Sequence, residues 1–117
     1  MRLALLGSKM EKFLCPYLHG EVELSRERRR HIMERHPDLL PKHEKQIAQT
    51  LADPDQVRRS ARFSNARLFS RWYDNLRGGK HVVVVTVSET AAEGRHWIIT
   101  AYLARRLVEG EVEWKRN

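Results

Sequence analysis

Cysteine is nearly absent. Cys15 is the only one in the chain, so no disulfide can close within it. A lone thiol fits a reducing compartment, and the expected location is cytoplasmic. Long apolar runs are missing too. No stretch approaches the roughly 20 residues that a membrane helix needs, so no membrane partner is expected. The opening Met1-Arg2-Leu3-Ala4-Leu5-Leu6-Gly7 is short against a signal-peptide core of roughly 7–15 apolar residues. With 4 prolines and 6 glycines the chain has no turn-rich linker, and no internal repeat divides it. Its 117 residues suit one domain. The expected organisation is a single domain over 1–117, with 1–12 as a loosely ordered extension.

Negative charge is also scarce. Asp plus Glu number 15 against 22 Lys plus Arg, a net charge of +7. The excess is concentrated. Residues 57–80 carry seven basic groups against Asp74 alone, a net +6. Arginine supplies 16 of the 22 positive charges, and its planar fork suits phosphate better than ammonium does. A polyanion such as RNA is the first partner to consider. A basic face that only keeps the protein in solution is the alternative that composition leaves open.

The remaining residues are patterned for structure. With 41% hydrophobic and 32% charged residues, the chain is neither a membrane protein nor a disordered tail. Phe13 to Gly20 reads as short extended structure, and Glu21-Val22-Glu23-Leu24 as a brief half-buried strand. Ser25 is a helix N-cap candidate. The helix should run from Arg26 to Arg35 or His36, because Pro37 disfavours helical geometry before it. Leu40, Ile47, Ala48 and Leu51 form one stripe of a second helix, with Pro41 in its first turn. Strands follow over Val57–Phe63, Arg67–Asp74, His81–Val87 and His96–Leu103, with a short edge strand at Glu111–Trp114. Helices first and a meander afterwards predict an α+β fold. Two N-terminal helices would pack on one face of a four- to five-stranded antiparallel sheet.

The period of two then assigns faces. Trp97, Ile99, Ala101 and Leu103 are expected on the helix-covered side, together with Leu68, Ser70 and Trp72. Arg71 and Tyr73 would share the open face with Thr100 and Tyr102. Such a face could hold a phosphodiester. Arginine pairs bidentately with phosphate, tyrosine stacks on a base, and histidine moves a proton near neutral pH. RNA carries its own nucleophile, the 2′-hydroxyl, so no cofactor or metal is required. The spacing of the histidines argues the same way. His31 and His36 are five apart, and Cys15 with His19 lacks two further ligands.

Bland roles compete with each of these. His31 could be a rung of a helix charge ladder between Glu27 and Arg35. His36 could simply sit well against a helix C-terminus. Lys80 and His81 could be edge charges that discourage strand pairing. Arg28-Arg29-Arg30 reads first as a solvated face.

Several motifs in this order resemble a known group. They are Phe13-x-Cys15-Pro16, Val22-Glu23-Leu24-Ser25, His31-Ile32-x-Glu34-Arg35-His36-Pro37, Leu51-x-Asp53-Pro54-Asp55, Lys80-x-Val82-Val83-Val84-Val85 and Ile99-Thr100-Ala101-Tyr102-Leu103. The chain is similar in them to phage-type members of the barnase–EndoU–colicin–RelE superfamily of RNase-like domains. The resemblance implies a barnase/RelE-like fold and metal-independent RNA cleavage through a cyclic phosphate. Position by position, His31 and His36 match the histidines of the helix motif, and Thr100 matches the strand threonine. Arg35 and Tyr102 lie inside the same motifs. Barnase's glutamate base has no clear counterpart, and Glu34 reads better as a surface helix charge.

The expectation is a toxin-like or phage-derived endoribonuclease. His31, His36, Arg71, Thr100 and Tyr102 form the expected catalytic set, and Arg35, Tyr73, Lys80, Arg59 and Arg62 the expected RNA-binding set. Two other classes stay open. One is a non-catalytic nucleic-acid-binding module. The other is a subunit whose basic hairpin docks an acidic inhibitor or antitoxin.

Overall fold

The computed structural model describes residues 10–91 and 94–117. Of the expected N-terminal extension, residues 1–9 lie outside the described residues, while Glu11 and Lys12 already belong to a strand.

That strand is β1 (Glu11–Cys15), which turns through a 3-10 segment at Pro16–Leu18 into β2 (Gly20–Leu24). His19 makes the turn at φ 59, and Gly20 starts the return strand. Helix α1 (Arg26–Arg35) begins at Ser25, whose side chain accepts from the Arg28 amide at 3.1 Å. This satisfies one of the amides that a helix start leaves unpaired. The helix ends at His36, directly before Pro37. The second helix starts later than its apolar stripe predicts. Leu39 and Leu40 are buried, but in a turn, and Pro41 follows a cis peptide bond. Helix α2 is Glu44–Ala52, with Ile47, Thr50 and Leu51 buried.

Five strands follow: β3 (Gln56–Arg59), β4 (Ala66–Tyr73), β5 (Lys80–Ser88), β6 (His96–Ala104) and β7 (Glu111–Lys115). Among the described residues, all seven strands join one sheet in the order β1-β2-β6-β5-β4-β3-β7. The expected four- to five-stranded antiparallel sheet is therefore corrected to a seven-stranded mixed sheet. Two features account for the difference. The N-terminal hairpin joins the sheet by a single parallel pairing, Glu23 to Trp97. The last strand crosses four places to pair with β3 instead of with its sequence neighbour.

Four strand spacings are roughly 19 Å, and residues 105–110 bridge them along the open face, with bends at 105–106 and 109–110.

Directly opposed residues share a face of an antiparallel ladder, so the register sorts the sheet into rows. One face carries Val57, Phe69, Val84 and Ala101, flanked by Arg71, Val82 and Leu103. This face is covered by α2, which packs on β1, β4 and β5. The buried core gathers here, with Phe13, Val22, Ile32, Ile47 and Leu51 joining Phe69 and Val84. The other face carries Arg58, Leu68, Val85 and Thr100 in one row. Beside it runs a second row of Gln56, Ser70, Val83 and Tyr102, and then Trp72, His81 and Ala104.

These rows correct the expected faces of β4. Leu68, Ser70 and Trp72 lie away from the helices, and Trp72 is 42% exposed. Phe69 takes the core position. A second correction comes from a bulge. The β5–β6 register shifts between Val85 and Thr86, leaving Ile99 as the extra residue. A bulge turns the following residues to the other face. Ile98 therefore enters the core with Ala101, while Trp97 and Ile99 are only half-buried.

Candidate functional site

The open face places some of the expected site residues together and separates others. Thr100 and Tyr102 are on it, two residues apart on β6. Arg71, Tyr73, Lys80 and Arg59 are in rows on the opposite face, so their expected convergence with Thr100 and Tyr102 is corrected.

Each of these four side chains is occupied where it stands. The Tyr73 hydroxyl lies 3.1 Å from Thr50 Oγ1 and donates to the Gln46 carbonyl at 3.2 Å, both on α2. Arg71 donates to the Asp53 carbonyl at 2.8 Å and its carboxylate at 3.0 Å, clasping the C-terminal end of α2. Lys80 Nζ donates to the Arg77 carbonyl. Arg59 pairs with Glu113 of β7 at 2.9 Å, and Arg67 binds the same carboxylate at 2.9 Å. Tyr17 donates to Glu113 as well.

The +6 block is therefore partly closed by carboxylates from outside it. Glu113 answers two of its arginines, and Asp53 answers a third while also pairing with Arg116. Arginine guanidinia hold the Asp53 carboxyl below the usual range, Arg116 first and Arg71 second. Burial opposes ionisation of Glu113. The hydrogen bonds from Tyr17 and Arg67, with the nearby arginine charges, outweigh it and hold that carboxyl low. Tyr17 is pushed up to about 12, by burial first and then by its bond to Glu113.

The helix motif meets the strand motif at one point. The His36 ring lies 5.9 Å from the Tyr102 ring, tilted by 38°. Helix α1 packs along β6, and Arg28 reaches the Ile99 carbonyl at 3.5 Å. His31 is half-buried on α1, and Arg35 is exposed in its last turn. Arg62 is exposed on the β3–β4 turn, with its guanidinium 5.9 Å from the Phe63 ring centre.

Tyr102 also lines a cavity of about 170 Å³ on the open face. Its sheet wall is Leu68, Ser70 and Val83, and its roof is the crossing segment with Arg106, Leu107 and Glu109. Arg58 stands at the rim. Its Nε donates to Gln56 at 2.9 Å, and Nη1 lies 3.4 Å from the carbonyls of Glu109 and Gly110. The Ser70 hydroxyl is buried without a hydrogen-bond partner. Burial pushes the Tyr102 phenol up, and the Glu109 charge acts in the same direction. The phenol thus stays protonated at neutral pH.

His81 stands in the neighbouring row, edge-on to Trp72 at 4.9 Å. Burial pushes its imidazole below the ordinary value and Arg58 adds to this, with Asp55 opposing.

Arg58, Ser70, His81, Arg106 and Glu109 are the residues that sequence reasoning did not place here. One signal was available for Arg58. It alternates with Val57, so a core-facing Val57 puts Arg58 on the open side. Ser70 and Glu109 come together only through the long β6–β7 crossing, which no local pattern announces. Among the described residues, no three His, Cys, Asp or Glu side chains gather to hold a metal ion. None of the described helices is long and apolar enough to cross a membrane.

Comparison with known proteins finds no matching family, no matching curated protein and no matching solved structure.

Proposed function

We propose that this domain cleaves RNA on its open sheet face, by attack of the 2′-hydroxyl on the neighbouring phosphate to give a cyclic phosphate. The observation that carries the reading is the contact of His36 with Tyr102, beside a cavity rimmed by Arg58 and lined by Arg106. These groups suffice for the chemistry. The His36 imidazole takes the proton of the 2′-hydroxyl as its oxygen bonds to phosphorus. The bond from phosphorus to the 5′-oxygen breaks, and the Tyr102 phenol gives that oxygen its proton. His36 then returns a proton to Tyr102. Arg58 and Arg106 are the cations for the charge that develops on the phosphoryl oxygens, and Thr100 offers a hydroxyl two residues from Tyr102. The resemblance in the His31-to-His36 and Thr100-to-Tyr102 motifs supports the same reading.

The test is incubation of the purified chain with total RNA in EDTA. Fragments ending in a cyclic phosphate are expected, and their loss in a His31→Ala, His36→Ala double variant. Cleavage that continues unchanged in that variant would sink the proposal.

A second reading has its own observation. Phe63 is 59% exposed, with the Arg62 guanidinium near its ring. An exposed ring with a cation beside it is a stacking platform for single strands. A binding module of this kind would hold RNA without cutting it, and its affinity would fall steeply with salt.

A further inference from the structure

We propose that Arg28 and Arg35 of α1 grip the phosphodiester backbone of a single RNA strand, and that Arg59, Arg67 and Arg71 of the basic block do not. This rests on the RNA-directed reading of the same face, and it names the residues that hold the strand beyond the proposed cleavage point.

The arginines fall into two groups. Arg59 and Arg67 pair with Glu113, and Arg71 pairs with Asp53. All three lie in rows on the helix-covered face. A guanidinium already held by a carboxylate must give up that bond to take a phosphate, so the exchange gains little. Arg28, Arg35, Arg58 and Arg106 differ. Among the described residues, no carboxylate stands at ion-pair distance from any of these four. Arg28 has only a long bond, 3.5 Å, to the Ile99 carbonyl. Arg35 is exposed in the last turn of its helix. The charge that counts for a polyanion therefore lies outside most of the block that dominates the sequence.

These four arginines border the open face. Arg58 begins the row of Arg58, Leu68, Val85 and Thr100. At the far end of that row, Arg28 reaches the carbonyl of the residue before Thr100. Three strand spacings separate β3 from β6, roughly 14 Å, a span that suits several phosphates of one strand better than a single one. Arg35 follows Arg28 by seven residues, two turns along the same flank of α1 and roughly 10 Å on. The helix then ends at His36, whose ring meets Tyr102. Two guanidinium forks thus stand in line and lead to the proposed reaction centre. Glu27 and Glu34 are also seven apart, but they lie about 100° round the helix from this flank.

The spacing favours nucleic acid over an acidic protein. A strand carries one charge per nucleotide at even intervals, and each fork takes a phosphate with two parallel hydrogen bonds. An acidic protein segment has no such fixed interval.

The test uses a fluorescent 2′-O-methyl RNA of about 12 nucleotides, within the usual range for a single-strand site. Its blocked 2′-hydroxyl prevents cutting, so binding is read apart from cleavage. Anisotropy is followed on the full chain between about 50 and 200 mM salt. In an Arg28→Gln, Arg35→Gln double variant, affinity should fall about tenfold or more at the lower salt. The slope of log affinity against log salt should shrink by about 1.4, at about 0.7 for each phosphate lost. Arg59→Gln should stay within about twofold of wild type, and circular dichroism should confirm that both variants are folded. An unchanged slope in the double variant, an equal loss in Arg59→Gln, or no binding by the wild-type chain would each overturn the grip. Poly-glutamate that competes as well as unlabelled RNA would overturn it too. Cleavage of total RNA is scored separately. Binding that depends on Arg28 and Arg35 while total RNA stays uncut would support the grip and remove the nuclease. Cutting by a chain whose double variant keeps the full salt slope would overturn the grip and leave cleavage intact.

Discussion

Glu113→Gln should destabilise the fold well beyond a surface substitution. Glu113 is on a largely exposed edge strand, yet its carboxylate side chain is only 20% exposed. It accepts from Arg59, Arg67 and Tyr17 together. Surface ion pairs contribute about 0–1 kcal/mol, while breaking a buried pair costs about 3–5 kcal/mol. Arg67, at 19% exposure, lies between those limits. The expected loss is about 2 kcal/mol, read from urea denaturation with an unchanged m-value. It corresponds to a fall in Tm of roughly 8 °C for a domain near this size. A double-mutant cycle with Arg67→Met should recover part of the loss, because both partners are then gone. A change below about 0.5 kcal/mol would refute the claim that this carboxylate clamps β7 and closes the basic block.

Three further outcomes follow from the packing. Tyr73→Phe removes the hydroxyl bonded to Thr50 and Gln46, and should cost about 1 kcal/mol in urea denaturation. Gly79→Ala puts a methyl 2.6 Å from the Trp72 ring at φ +105. The conformation and the clash together should cost about 2–4 kcal/mol, and a loss below about 1 kcal/mol in the same measurement would contradict it. His81 has its pKa lowered from 6.5 in the folded state, mainly by burial. The unfolded chain then takes up the proton more readily, so stability should fall as pH drops below about 6.5. Urea denaturation between pH 5 and pH 8, on the order of the histidine range, should show that slope, and His81→Gln should flatten it.

Much of the local structure was legible because its causes are local. Ser25 and Pro37 bound α1 through capping and ring sterics, and the structure ends the helix where they require. The four valines of β5 mark a central strand, and Val82, Val83 and Val84 are buried as both of its faces need. The sheet as a whole was not legible. The pairing of its last strand with β3 and its single parallel pairing depend on long-range closure that no window of sequence contains.

The faces of β4 failed for a different reason. Arg67 and Arg71 flank Phe69 at a spacing of two, and two charges on one side suggest solvent. Carboxylates from β7 and from the end of α2 make that side tolerable for arginine, and both are distant in sequence. The candidate site was half legible. The His36 ring meets Tyr102, which is two residues from Thr100, but Arg71 and Tyr73 belong to the core side. A bulge at Ile99 shifted the rest of β6, and the cavity exists only because residues 105–110 cross the sheet.

The most direct measurement compares two tyrosines on opposite faces of the sheet. RNA cleavage in EDTA should be followed for the wild-type chain, Tyr102→Phe and Tyr73→Phe under conditions where all three are folded. Loss of a general acid costs about 10²-fold or more. The expected result is that loss in Tyr102→Phe, with Tyr73→Phe within about twofold of wild type. Wild-type protein that leaves RNA intact, or activity that depends on Tyr73 and not on Tyr102, would contradict a reaction centre on the open face.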